Sequence, residues 1–112
     1  MMRRIDITDY EFAGSSEPFQ VRPSLVAILF AESRLDAREI IRRDELANYI
    51  EKYEGDFLLL EEADWRKLLA GLKAMDLQPY GRSIVEFCRR VLSAPQVNIP
   101  GAAPVQPDQN DE

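Results

Sequence analysis

The sequence predicts an α+β domain in which an N-terminal β-hairpin packs against four or five short helices. Two patterns indicate this fold class. Parts of residues 3–22 alternate between apolar and polar side chains, which is the period of a strand with one buried face. Residues 60–75 repeat at the period of a helix and place five apolar side chains on one narrow arc: Trp65, Leu68, Leu69, Leu72 and Met75. Because such a helix must bury its apolar face, we expect the rest of the chain to cover it.

The size of the chain favours one domain followed by a tail. The sequence has 112 residues, of which 46% are hydrophobic and 30% charged, which is enough for one modest core. We expect residues 1–95 to form this domain. After Pro95 the sequence has three more prolines and no aromatic residue. Residues 96–112 therefore bury too little apolar surface to offset their ordering entropy, and we predict a Pro-rich acidic tail that is flexible or orders only on a partner.

The predicted hairpin spans residues 3–22, and a slip in its alternation suggests a bulge at Asp9. Residues 13–18, Ala-Gly-Ser-Ser-Glu-Pro, have the composition of a turn. Residues 19–22 alternate again and suit a returning strand. The apolar run at 57–60 is compatible with a third short strand that joins the hairpin.

The sequence predicts one helix that contains residues 25–31 and another that begins at Ser83. Pro23 suits the first turn of a helix that contains the apolar run 25–31, with a buried strand as the competing interpretation. Pro and Gly predict a loop over 76–82. Ser83 and Glu86 then have the spacing of a capping box and predict the start of the last helix.

A change of phase marks the segment between these helices. Asp36 and Glu39 have the spacing of a capping box, but the apolar positions move to a different arc at Asp44. Either one helix changes its environment partway, or two short helices meet at a kink. We favour two helices, 36–43 and 44–53.

The sequence lacks most of the groups that carry catalysis. It has no histidine, which removes the commonest general base and zinc ligand and excludes Ser-His and Cys-His pairs. Cys88 could be a reactive thiol, but its place on the apolar stripe of the last helix favours a core residue. No phosphate-binding loop or calcium-loop spacing is present. We therefore expect no enzymatic activity, no cofactor and no metal ion.

Acidic residues are concentrated in one segment. Residues 51–64 hold six carboxylates and one base, Lys52, so that this segment carries nearly all of the net charge of −6. The carboxylates are Glu51, Glu54, Asp56, Glu61, Glu62 and Asp64. A solvated face is the simplest interpretation, because acids are favoured at helix N-termini. The functional interpretation is a docking site for a basic protein partner. The charge disfavours nucleic acid, and no apolar run reaches the length of a membrane span.

The basic pairs and the single tryptophan have structural interpretations. Arg42-Arg43 and Arg89-Arg90 lie close to predicted helix ends, where cations complement the helix dipole and form surface ion pairs. Trp65 could anchor an interface, since tryptophan is common at hot spots. Its place on the central apolar arc favours the core instead.

Four segments resemble small accessory proteins of tailed bacteriophages and prophages. They are Ile5-Asp6-Ile7-Thr8-Asp9-Tyr10, Ser24-Leu25-Val26-Ala27-Ile28-Leu29-Phe30, Arg43-Asp44-Glu45-Leu46-Ala47 and Arg89-Arg90-Val91-Leu92-Ser93-Ala94-Pro95. The resemblance implies phage assembly or host takeover as a context, and it implies no catalytic residue.

Two functional hypotheses follow. The first is a non-enzymatic protein–protein interaction module, a phage structural or assembly accessory that self-associates or joins a larger assembly. Such a protein would lie in the host cytoplasm or on the virion. The alternative is an acidic inhibitor of a host nucleic-acid machine that acts through the 51–64 carboxylates.

Overall fold

The computed structural model of the protein describes residues 1–97, which adopt the predicted α+β fold. The elements are β1 (Met2–Asp6), α1 (Val21–Leu29), α2 (Ala37–Lys52), β2 (Phe57–Glu61), α3 (Glu62–Ala74), a 3₁₀ segment (Gln78–Ile84), α4 (Val85–Leu92) and β3 (Gln96–Val97). The three strands form one antiparallel sheet in the order β2-β1-β3. No helix in this part of the chain is long and apolar enough to cross a membrane.

The sheet has one buried face and one exposed face. Ile5 of β1 pairs with Leu58 of β2, and both side chains are fully buried. The adjacent positions Arg4 and Phe57 point to the opposite face and are exposed. Helices α3 and α4 pack against the sheet, and α1 packs against α2 and α3. The core therefore lies between the buried face of the sheet and the helices.

The predicted hairpin is reduced to a single antiparallel bridge between Tyr10 and Phe19. The strand at 57–60 is confirmed as β2, and it takes the place beside β1 that the returning strand was expected to fill. Val21 begins α1 instead of ending a strand, and its backbone N–H donates to Asp9 Oδ1 at 3.0 Å. The break in alternation at Asp9 therefore coincides with a side chain that binds the first turn of α1. The bulge predicted at Asp9 is wrong.

The segment 37–52 forms one continuous helix, so the prediction of two helices joined by a kink is wrong. Ile40 and Ile41 are exposed, whereas Arg43 is buried on the same face as Leu46 and Ile50. The change of phase therefore reflects a charged residue on the core side and two isoleucines outside it. One half of the predicted capping box is present, because the Glu39 backbone N–H donates to the Asp36 carboxylate at 2.8 Å. The Glu39 carboxylate binds Arg43 and Lys67 instead of closing the box.

Helix α3 confirms the central prediction. Trp65, Leu68 and Leu72 are buried, and Leu69 and Met75 are partly buried against the same core. The indole N–H of Trp65 donates to the carbonyl oxygen of Val91 in α4 at 2.8 Å. Trp65 is thus a core residue that also ties α3 to α4.

The start of the last helix differs from the prediction. Ser83 Oγ donates to the Tyr80 carbonyl, so the capping box of Ser83 and Glu86 does not form. The hydroxyl of Tyr10 accepts the backbone N–H of Phe87 at 3.1 Å instead. A side chain from the other end of the chain therefore satisfies a donor in the first turn of α4.

The chain after Pro95 is ordered further than predicted. Gln96 and Val97 form β3 and pair with Arg3 and Met2 of β1. The rest of the predicted flexible tail, residues 98–112, lies outside the described residues.

A candidate docking cleft between α2, β2 and α3

The six predicted site residues fall into two groups. Glu51 lies in the last turn of α2, and Glu54 and Asp56 lie in the connection to β2. The other three are Glu61, Glu62 and Asp64, at the junction of β2 and α3. Since a strand rises about 3.3 Å per residue, the five residues of β2 separate the two groups by about 16 Å. The structure therefore does not bring the six carboxylates together on one small surface.

Glu62 has a structural partner. Its carboxylate accepts Arg3 Nε at 2.8 Å and Arg3 Nη2 at 3.1 Å. The hydrogen bond from Arg3 holds the pKa of Glu62 below its ordinary value. The Arg3 guanidinium lies 3.7 Å from the centre of the Trp65 ring, which is cation–π geometry. Glu62 therefore fastens β1 to α3 through Arg3.

Glu61 and Asp64 line a cleft of about 450 Å³ between α2, β2 and α3. The floor of the cleft is apolar, since Leu46 and Leu60 are buried and Leu59 is half-buried. The remaining lining residues are Met2, Arg42, Glu45, Tyr49 and Lys67. An apolar floor under a charged rim can serve recognition, because apolar contact supplies affinity and charge selects a partner.

The rim has an excess of negative charge. Glu45, Glu61 and Asp64 have no basic side chain within 4.0 Å among residues 1–97. Lys67 is already paired with Glu39, at 3.2 Å. Arg42 is thus the one cation of the rim that makes no ion pair among the described residues. Three carboxylates against one such cation attract a positively charged group.

Glu39 binds Lys67, one of the residues that line the cleft. Its carboxylate accepts Arg43 Nε at 2.7 Å and Lys67 Nζ at 3.2 Å. These two hydrogen bonds, chiefly the one from Arg43, outweigh burial and hold the pKa of Glu39 below its ordinary value. Glu39 therefore fixes the position of Lys67 at the rim.

Tyr49 forms the wall of the cleft beside β2. Its hydroxyl donates to the carbonyl oxygen of Leu59 at 2.8 Å, although the side chain is 42% exposed. Burial, helped by the charge of Asp64 and the neighbouring Tyr53, raises the pKa of Tyr49. The phenol is therefore a neutral donor at physiological pH.

The sequence prediction missed the contribution of α2 to this cleft. Arg42, Glu45 and Tyr49 recur at helical spacing and so share one side of α2. This periodicity is visible in the sequence. The sequence did not show that this side of α2 lies next to β2, because that packing joins elements that are separate along the chain.

Two further chemical features of the described residues concern metal binding and thiol reactivity. Among residues 1–97, no group of three or more His, Cys, Asp or Glu side chains is placed to hold a metal ion. Cys88 is half-buried, and burial raises the pKa of its thiol, which lowers its reactivity as a nucleophile. Comparisons with protein-family models, curated proteins and solved structures found no match.

Proposed function

We propose that this protein is a non-enzymatic protein–protein interaction module and that the cleft between α2, β2 and α3 is its docking site. The observation that carries the proposal is the combination of a leucine floor with the carboxylates of Glu45, Glu61 and Asp64, which make no ion pair within residues 1–97. Apolar area gives binding energy, and the carboxylates select a basic partner. The resemblance to phage accessory proteins supports a role in virion structure or assembly.

The alternative, an acidic inhibitor of a host nucleic-acid machine, uses the 51–64 carboxylates as one continuous charged surface. The separation of these residues into two groups by β2 favours the cleft over that alternative. The two proposals also require different residues. An inhibitor of this kind needs Glu51 and Glu54 as much as it needs Glu61, whereas the cleft does not include Glu51 or Glu54.

Paired charge reversals test the proposal. The double variant Glu61→Lys with Asp64→Lys changes the rim of the cleft, and we expect it to lose affinity for the partner at least about tenfold. Partners are identified by chemical cross-linking of the tagged full chain in cells, followed by mass spectrometry. Affinity for each purified partner is then measured by calorimetry.

The matched control is Glu51→Lys with Glu54→Lys, which makes the same change in net charge at the other end of β2. We expect this control to retain the partner. Thermal melting checks that both variants are folded. Retention of the partner by the cleft variant and its loss by the control would overturn the proposal in favour of the inhibitor.

A further inference from the structure

Strand β2 lies at the edge of the sheet, beside β1 only. The Ile7 N–H donates to the Asp56 carbonyl, so the backbone groups of Asp56 face the chain of β1. Since backbone groups alternate in direction along an antiparallel strand, Leu58 and Leu60 also face β1. The backbone groups of Phe57, Leu59 and Glu61 therefore point away from the sheet.

No strand among residues 1–97 pairs with this outer edge. The hydrogen bond from the Tyr49 hydroxyl to the Leu59 carbonyl is consistent with a Leu59 carbonyl that points away from β1. The Phe57 side chain beside it is 50% exposed. Proteins generally cover or blunt such an edge, because an open edge accepts another strand.

The docking cleft runs along the same edge. Leu59, Leu60 and Glu61 of β2 line the cleft together with Glu45 and Tyr49 of α2. A chain that hydrogen-bonds to the outer edge of β2 therefore enters the cleft. Its side chains alternate in direction, so that one set lies on the side of the buried Leu60 and the other set lies on the side of Leu59 and Glu61.

The charge of the rim selects the occupant. The carboxylates of Glu45, Glu61 and Asp64, which have no ion-pair partner in the described part of the chain, favour basic side chains. A second copy of this chain carries the same net charge of −6. The segment 108–112 of this chain, Asp-Gln-Asn-Asp-Glu, has three acids and no base. Both of these occupants are therefore repelled.

From this geometry we infer that the partner docks as an extended strand on the outer edge of β2, with basic residues at alternate positions. The inference rests on the proposed function, since it specifies how a protein partner enters the same cleft. Main-chain hydrogen bonds to Phe57 and Leu59 supply affinity, as in other cases of strand addition. Tyr49 acts as a latch, because its hydroxyl occupies the Leu59 carbonyl that the incoming strand needs.

The test uses a fluorescent synthetic peptide of alternating lysine and valine and the same peptide with every backbone amide N-methylated. Both peptides have the same charge and the same side chains, but the second has no backbone donors. We expect the methylated peptide to bind the full-length protein at least about tenfold more weakly in fluorescence anisotropy. Hydrogen exchange at the Phe57 and Leu59 amides should slow when the unmethylated peptide is bound.

Two tyrosine variants test the latch. Tyr49→Phe removes the hydroxyl that competes for the Leu59 carbonyl, and we expect binding of the unmethylated peptide to tighten by about fivefold. Tyr53→Phe is the matched control, because its ring packs edge-on against Tyr49 at 5.5 Å. We expect this control to bind as the parent does.

Three results would overturn the inference. The first is that both peptides bind the parent with equal affinity and that neither binds the double variant Glu61→Lys with Asp64→Lys. This result would leave the cleft as a docking site but exclude strand addition. Slow exchange at Phe57 and Leu59 in the protein alone would show that the edge is already occupied. Failure of both peptides to bind would exclude a basic strand, while the cross-linking experiment would still decide the proposed function independently.

Discussion

At the scale of single residues, Arg43 shows how much depends on one buried charge. It is 4% exposed, and its guanidinium donates to the Leu29 carbonyl, Glu39 and Glu32 at 2.9, 2.7 and 2.7 Å. Leu29 ends α1, so Arg43 satisfies a carbonyl at the end of one helix from the middle of the next. Removing it leaves this carbonyl without its donor. We expect Arg43→Ala to lower the free energy of unfolding by about 3 kcal/mol in urea titrations.

The neighbouring arginine is the matched control for this prediction. Arg42 is exposed and makes no ion pair among residues 1–97, so Arg42→Ala should change stability by less than about 0.5 kcal/mol. Similar losses in the two variants would contradict the role assigned to Arg43. Position near a helix end predicts the same role for both arginines. However, Arg43 is three and seven residues before Leu46 and Ile50, so the helical period could have placed it on the core side.

At the scale of elements, the crossing of α1 and α3 depends on Gly71. A Cβ added to this residue would lie 1.9 Å from the carbonyl oxygen of Ile28 in α1, which is backbone and cannot rotate away. Alanine is favoured over glycine within a helix by about 1 kcal/mol. A Gly→Ala substitution would therefore stabilise the protein if the added methyl group met no neighbouring atom. We expect Gly71→Ala to destabilise the protein by about 2 kcal/mol or more, because the helices must separate.

Thermal denaturation of the purified variant measures this effect. Lys73→Ala, in the same helix at an exposed position, controls for changes in helix propensity and should melt close to the parent. A Gly71→Ala protein that melts above the parent would show that α1 and α3 are farther apart than the structure places them.

The elements that the sequence predicted correctly are those with a strong local pattern. The apolar arc of α3 and the run of leucines in β2 can be recognised without knowing their neighbours. The hairpin was predicted to be longer than the single bridge that forms, because both 19–22 and 57–60 are plausible partners for β1. The choice between them depends on burial of Leu58 and Leu60 under the helices, which is a property of the folded molecule. The cap that Tyr10 supplies to α4 was hidden for the same reason.

At the scale of the whole molecule, the candidate site combines predicted and unpredicted residues. The sequence indicated Glu61 and Asp64 because acids are concentrated in residues 51–64. It did not separate them from Glu51, since distance along the chain does not show that an extended strand lies between them. Glu45 and Tyr49 join the cleft through the packing of α2 near β2. The acidic character of the site is therefore easier to predict from the sequence than the particular residues that line it.

Two carboxylates that connect distant elements contribute to the acid stability of the molecule. Glu62 binds Arg3 and so joins α3 to β1, whereas Glu39 binds Lys67 and so joins α2 to α3. Hydrogen bonds from Arg3 and Arg43 respectively hold the pKa of each carboxyl below its value in the unfolded chain. The unfolded chain therefore binds protons first as the pH falls. The stabilisation is complete above the unfolded pKa of about 4.3 and is lost as the pH falls through the lower folded values.

We therefore expect the free energy of unfolding to be nearly constant between about pH 6 and 8, where a chain without histidine has few groups to titrate. It should fall steeply below about pH 4. Urea titrations across this range measure the profile. The double variant Glu39→Gln with Glu62→Gln should be less stable at neutral pH and lose less stability on acidification, because both linked carboxyls are gone. A double variant that kept the steep acid loss of the parent would show that other carboxylates control it, and that these two ties between elements contribute little.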